Sequence, residues 1–73
     1  MVEQGEVLTL SDNKTYAVVF TTMYNNRNYI YLIDENDYTN TMFCVYDNNQ
    51  LEEVTDPNTI EALLYIYQNS SNK

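Results

Sequence analysis

EVLTL (6–10) alternates apolar and polar residues with a period of two, and TYAVVFTTM (15–23), NYIYLID (28–34) and TMFCVYD (41–47) follow as runs rich in β-branched and aromatic residues. That period sends successive side chains to opposite sides of an extended chain, and each of these runs predicts a strand. Valine, isoleucine, threonine, tyrosine and phenylalanine dominate these runs, as a pleated and partly buried surface favours. Between them lie clusters of turn formers. SDNK follows the first run, and YNNR supplies Asn25 and Asn26, which tolerate the positive φ of a tight hairpin turn. ENDYTN (35–40) is a longer polar link, NNQ (48–50) is another turn, and LEEV (51–54) reads as a short fifth strand. Four or five sequential strands with short links predict an antiparallel meander.

The period changes after residue 54. TDPNTIEALLYIYQN carries the start signals of a helix in Asp56, Pro57 and Asn58, with either Asp56 or Asn58 as the cap. Glu61 stands three residues after Asn58, the spacing of a capping box. Ile60, Leu63, Leu64 and Tyr67 fall at i, i+3, i+4 and i+7 and make one apolar stripe. A helix of about three turns is marginal alone in water, so the stripe predicts packing on the meander. The fold expected is therefore α+β: an antiparallel meander of four or five strands with one C-terminal helix on one face. The 73 residues form a single domain with its core over about 6–69 and a frayed tail at 70–73.

The strands pose a problem of coverage. Ile30 and Leu32 point one way and Tyr29, Tyr31 and Ile33 the other, while Thr41, Phe43 and Val45 oppose Met42, Cys44 and Tyr46. Both faces of the sheet are thus apolar, and one helix covers one face. Either the strands curl into a partial barrel or an aromatic surface stays open. Tyrosine, with a ring for contact and a hydroxyl that stays wet, favours the open surface.

Charge narrows the partners. Eleven acidic residues against Lys14, Arg27 and Lys73 give a net charge of −8, which opposes direct contact with nucleic acid or an anionic membrane and favours basic proteins. Cys44 is the only cysteine, so no internal disulfide forms, and a reducing, cytoplasmic setting is expected. MVEQGEVLTL lacks the basic and long apolar regions of a leader, and no apolar run reaches the ~20 residues of a membrane span.

The order VLTL, SDNK, NRNYIYLI, DENDYTN, MFCVY, LEEV and TDPNTIEALLYIY, over residues 6 to 67, resembles the YrzB-like family of small acidic proteins from Gram-positive bacteria and their phages. The resemblance implies the same succession of strands, acidic loop and terminal helix. It implies no reaction, cofactor or ligand, since that family's function is unknown. Val54 stands where the family pattern places proline and isoleucine, and the first two turns lack glycine.

No catalytic, metal or cofactor set emerges from the residues. DENDYTN holds Asp34, Glu35 and Asp37 but lacks the central glycine and the twelfth-position glutamate of a calcium loop. The chain has no histidine and no glycine-rich phosphate loop, and nothing basic in sequence lies beside Cys44 to stabilise a thiolate. The expectation is a non-enzymatic protein-binding module with an acidic, tyrosine-rich surface, whose first candidate contacts are Tyr29, Tyr31, Tyr46, Asp34, Glu35 and Asp37. One alternative is a nucleic-acid mimic that inhibits a DNA- or RNA-processing enzyme, as some small acidic anti-CRISPR proteins of phages resemble this chain in size and charge. Another is a structural subunit that covers its spare apolar face as a homodimer.

Overall fold

A computed structural model describes residues 4–48 and 50–70. Five strands, β1 (Val7–Thr9), β2 (Thr15–Tyr24), β3 (Arg27–Asp34), β4 (Asp37–Asp47) and β5 (Gln50–Glu53), precede one helix, α1 (Pro57–Ser70). The strands form one antiparallel sheet in the order β1-β2-β3-β4-β5, the expected α+β meander. Of the expected frayed tail, Ser70 closes the helix and residues 71–73 lie outside the described residues.

Asparagine makes the turns. Asn25 and Asn26 have φ of 52° and 62°, which closes the two-residue β2–β3 hairpin, and Asn13 and Asn48 carry φ of 64° and 51° in the turns on either side of the sheet. Their short amides tolerate the left-handed region better than other non-glycine side chains. The acidic link differs from its expected form. Only Glu35 and Asn36 turn, and β4 already begins at Asp37.

Two irregularities shape the sheet. In β2 the pairing steps from Val18↔Leu32 to Phe20↔Tyr31, leaving Val19 as an extra residue. The bulge lets Val18 face one side and Phe20 the other. In β4 the pairing steps from Ile33↔Thr41 to Asp34↔Asp37, so Tyr38, Thr39 and Asn40 are extra on that side.

The helix lies on the face that carries Tyr29, Tyr31, Phe43 and Val45, where Leu63 is fully buried and Ile60 and Ile66 pack beside it. Rings fill this layer: Tyr31 stacks on Phe43 at 4.4 Å, and Tyr67 meets Tyr31 at 5.0 Å and Phe20 at 5.2 Å. Each such buried side chain is worth roughly 1.5–3 kcal/mol of apolar transfer. The buried stripe of α1 runs through Ile60, Leu63, Ile66 and Tyr67, while Leu64, expected within it, is 37% exposed at its margin. Asp56 is the cap, since its carboxylate accepts from Thr59 Oγ1 at 2.7 Å and from Thr59 N at 3.1 Å. The third helical residue is therefore Thr59, and the Asn58–Glu61 capping box is not the one formed.

Most of the opposite face is covered as well, which corrects the expectation of an open aromatic surface. Tyr16, Val18, Ile30, Leu32 and Cys44 form a second buried cluster, over which Leu8 and Leu10 fold from the β1 side and Leu51 from β5. The sheet thus curls around its own inner face, the partial-barrel solution. Tyr29 and Tyr31 lie under the helix rather than opposite it.

Candidate protein-docking surface

Of the six residues expected to make contact, the structure leaves two on the open surface together. Tyr29 is 7% exposed, in van der Waals range of Tyr24 at 6.2 Å between ring centres, and Tyr31 is held by Phe43 and Tyr67. Tyr46 is half-buried on the inner face, where β4 pairs it with Leu51 of β5. Asp34 is 3% exposed and acts within the fold, accepting from Asn36 N at 2.8 Å and from Asn40 Nδ2 at 3.2 Å. Glu35 and Asp37 are exposed at the β3–β4 turn. Glu35 is positioned by its backbone N–H, which donates to Thr15 O at 3.0 Å. Asp37 accepts from Thr39 Oγ1 at 2.7 Å, and the Thr39 hydroxyl and amide hold its carboxyl below the ordinary value. It stays ionised at neutral pH.

Directly after Asp37 in the chain stands Tyr38, 78% exposed. It shares a shallow cleft of about 260 Å³ with Ala17, Val19, Ile33 and Glu35. The extra residues in β4 put Tyr38 beside this shelf, and the β2 bulge puts Val19 on it. Ala17 pairs with both Ile33 of β3 and Val7 of β1, and Val7 is 53% exposed. The shelf is thus a band of small and branched apolar side chains on three neighbouring strands, topped by one ring and edged by acid. Aromatic residues at such a boundary give contact area at little conformational cost.

Sequence reading missed Tyr38 because it sat in a polar link. Its signal was present nonetheless: a lone ring among ENDYTN has no alternating partner to draw it into a core. Val19 was hidden by the assumption of an unbroken strand.

Burial, with a smaller contribution from the charge of Glu53, pushes the Cys44 thiol up to about 11, so it is a protonated core residue at neutral pH. Among the described residues, no three histidine, cysteine, aspartate or glutamate side chains converge as metal ligands, and no helix is long and apolar enough to cross a membrane. Comparison with protein families, with curated proteins and with solved structures finds no match for the chain.

Proposed function

We propose that this protein is a non-enzymatic binding module that docks a basic protein through the shelf formed by Ala17, Val19, Ile33 and Tyr38, with Glu35 and Asp37 steering the encounter. The observation that carries this reading is Tyr38, a large ring exposed to 78% that shares a cleft with apolar neighbours and the Glu35 carboxylate. What supports docking is that the ring continues an apolar shelf edged by charge, the kind of patch that marks a protein-contact site. The net charge of −8 selects that surface by sign and speeds association at low salt. A single free thiol accords with work in a reducing cytoplasm, and the YrzB-like order of motifs with an origin in a Gram-positive cell or its phage.

The second reading, mimicry of nucleic acid, rests on the same charge and dispenses with the shelf. One experiment separates the two. Immobilised wild type, Tyr38→Ser and Val19→Ser are challenged with lysate proteins at low and high salt. Docking through the shelf predicts a partner that survives moderate salt and is lost from both variants. Mimicry predicts nucleic-acid enzymes that both variants retain, that salt releases, and that added DNA displaces.

A further inference from the structure

The curled sheet does not close on itself. β1 and β5 are its two ends, and between them runs a groove of about 490 Å³ on the inner side of the sheet. One wall comes from the end of β1 and the turn after it, with Leu10 and Asp12, and the other from β5, with Leu51 and Glu53. Met42 and Cys44 of β4 make the floor. Leu10, Met42 and Leu51 are all half-buried, so the inner cluster reaches the surface here.

We propose that this seam takes an extended cationic segment of another protein as an added strand, its apolar side chains resting on Leu10, Met42 and Leu51 and its lysines or arginines meeting Asp12 and Glu53. β5 pairs only with β4, so its outer edge borders the groove and offers main-chain hydrogen bonds to an extended guest, the mode by which strands add to exposed edges. Alternation then sorts the guest's side chains, one set to the apolar floor and the other to the rim. The rim fixes their sign. Asp12 and Glu53 are exposed carboxylates on opposite walls. Asp12 is held ionised by the Lys14 amide at 2.9 Å and the Tyr16 hydroxyl at 3.0 Å. A second copy of this chain is a poor occupant, because it brings another −8 to an acidic groove. The seam lies on the face away from the shelf, so this inference stands or falls separately from the docking of Tyr38.

The test uses the full chain labelled with 13C at the methionine methyl groups. Met42 lies in the seam and Met23, 64% exposed in β2, lines a different cleft, so one spectrum holds the reporter and its control. The probe is a synthetic heptapeptide of alternating lysine and valine. Titration is expected to move the Met42 signal to saturation and leave Met23 in place, and Tyr38→Ser changes neither result. Glu53→Lys is expected to weaken the peptide roughly tenfold, and Glu53→Gln by less, each with the folded spectrum intact. A central proline in the peptide, or glutamate in place of its lysines, is expected to abolish the shift. The proposal is overturned if Met42 stays still up to millimolar peptide, or if its shift ignores both the proline and Glu53→Lys. It is also overturned if Met42 moves with protein concentration alone while sedimentation shows a dimer, since the occupant is then a second copy.

Discussion

Asn40 Nδ2 donates to Asp34 Oδ2 at 3.2 Å, joining the irregular start of β4 to the end of β3. The same amide reaches the Tyr16 hydroxyl at 3.5 Å, and that hydroxyl donates to Asp12 at 3.0 Å. A short polar chain therefore links the β1–β2 turn to the β3–β4 turn across one end of the curled sheet. It accounts for a nearly buried carboxylate in a chain with so few cations, since Asp34 takes its partners from amides rather than from lysine or arginine.

Asp34→Ala is expected to strand the Asn36 N–H and the Asn40 amide and to destabilise the fold by about 1–3 kcal/mol. Asp34→Asn keeps an acceptor for Asn36 and lets Asn40 turn its amide around, so its cost is smaller. Urea unfolding followed by tyrosine fluorescence measures both. Equal losses would mean that charge, not this set of hydrogen bonds, holds the turn.

The helix gives a sharper contrast. Leu63 is fully buried between the rings of β3 and β4, whereas Leu64, its neighbour, is 37% exposed. Leu63→Ala is expected to cost about 2–5 kcal/mol, enough to unfold much of a domain this small, while Leu64→Ala stays near 1 kcal/mol. Midpoints of urea denaturation decide, and a larger loss at Leu64 would place the helix on the sheet by a different face.

What the sequence revealed, and what it hid, follows from the range of the interactions. Strands, turns and the helix rest on local periods and on φ preferences, so each was legible from a few residues: Asn25 and Asn26 marked a hairpin before any contact was known. Of the eleven asparagines, four hold positive φ and one, Asn40, ties two turns together. Coverage was not legible. Tyr29 and Ile30 are both buried because one face meets α1 and the other meets the curl, and an alternating pattern that is apolar in both phases cannot say which is which. Nor do periods announce extra residues. Val19 and Tyr38–Asn40 break the pairing only when partner strands are aligned, and those breaks create the shelf.

The N-terminus of α1 offers a prediction about a single cap. Asp56 satisfies the Thr59 amide and hydroxyl together, and these bonds hold its carboxyl below the ordinary value. Asp56→Ala is expected to lower the thermal midpoint by about 4–8 °C, and Asn58→Ala to change it little. Circular dichroism at the helical band reads both variants. A larger effect from Asn58 would move the cap two residues along the chain.

Stability should fall at both ends of the pH scale, for separate reasons. Asp12, Asp37 and Asp56 have carboxyls held below their ordinary value by hydrogen bonds, chiefly from Lys14 N for Asp12 and from Thr39 and Thr59 for the others. A lowered carboxyl releases its proton more readily in the folded state, so its contribution is present above about pH 4 and is lost as pH falls through the depressed folded values. Cys44 and Tyr16 act in the opposite direction. Burial raises the thiol to about 11 and raises the phenol, which also donates to Asp12. The folded state keeps protons that the unfolded chain gives up, so stability is full below about pH 9 and declines as pH rises towards 11. Cys44→Val keeps an apolar side chain of similar size and removes one of these two titrations. In urea titrations across pH 8 to 11, the variant is expected to lose stability less steeply than wild type, while the acid limb stays unchanged. Identical alkaline limbs would show that the thiol is already open to water.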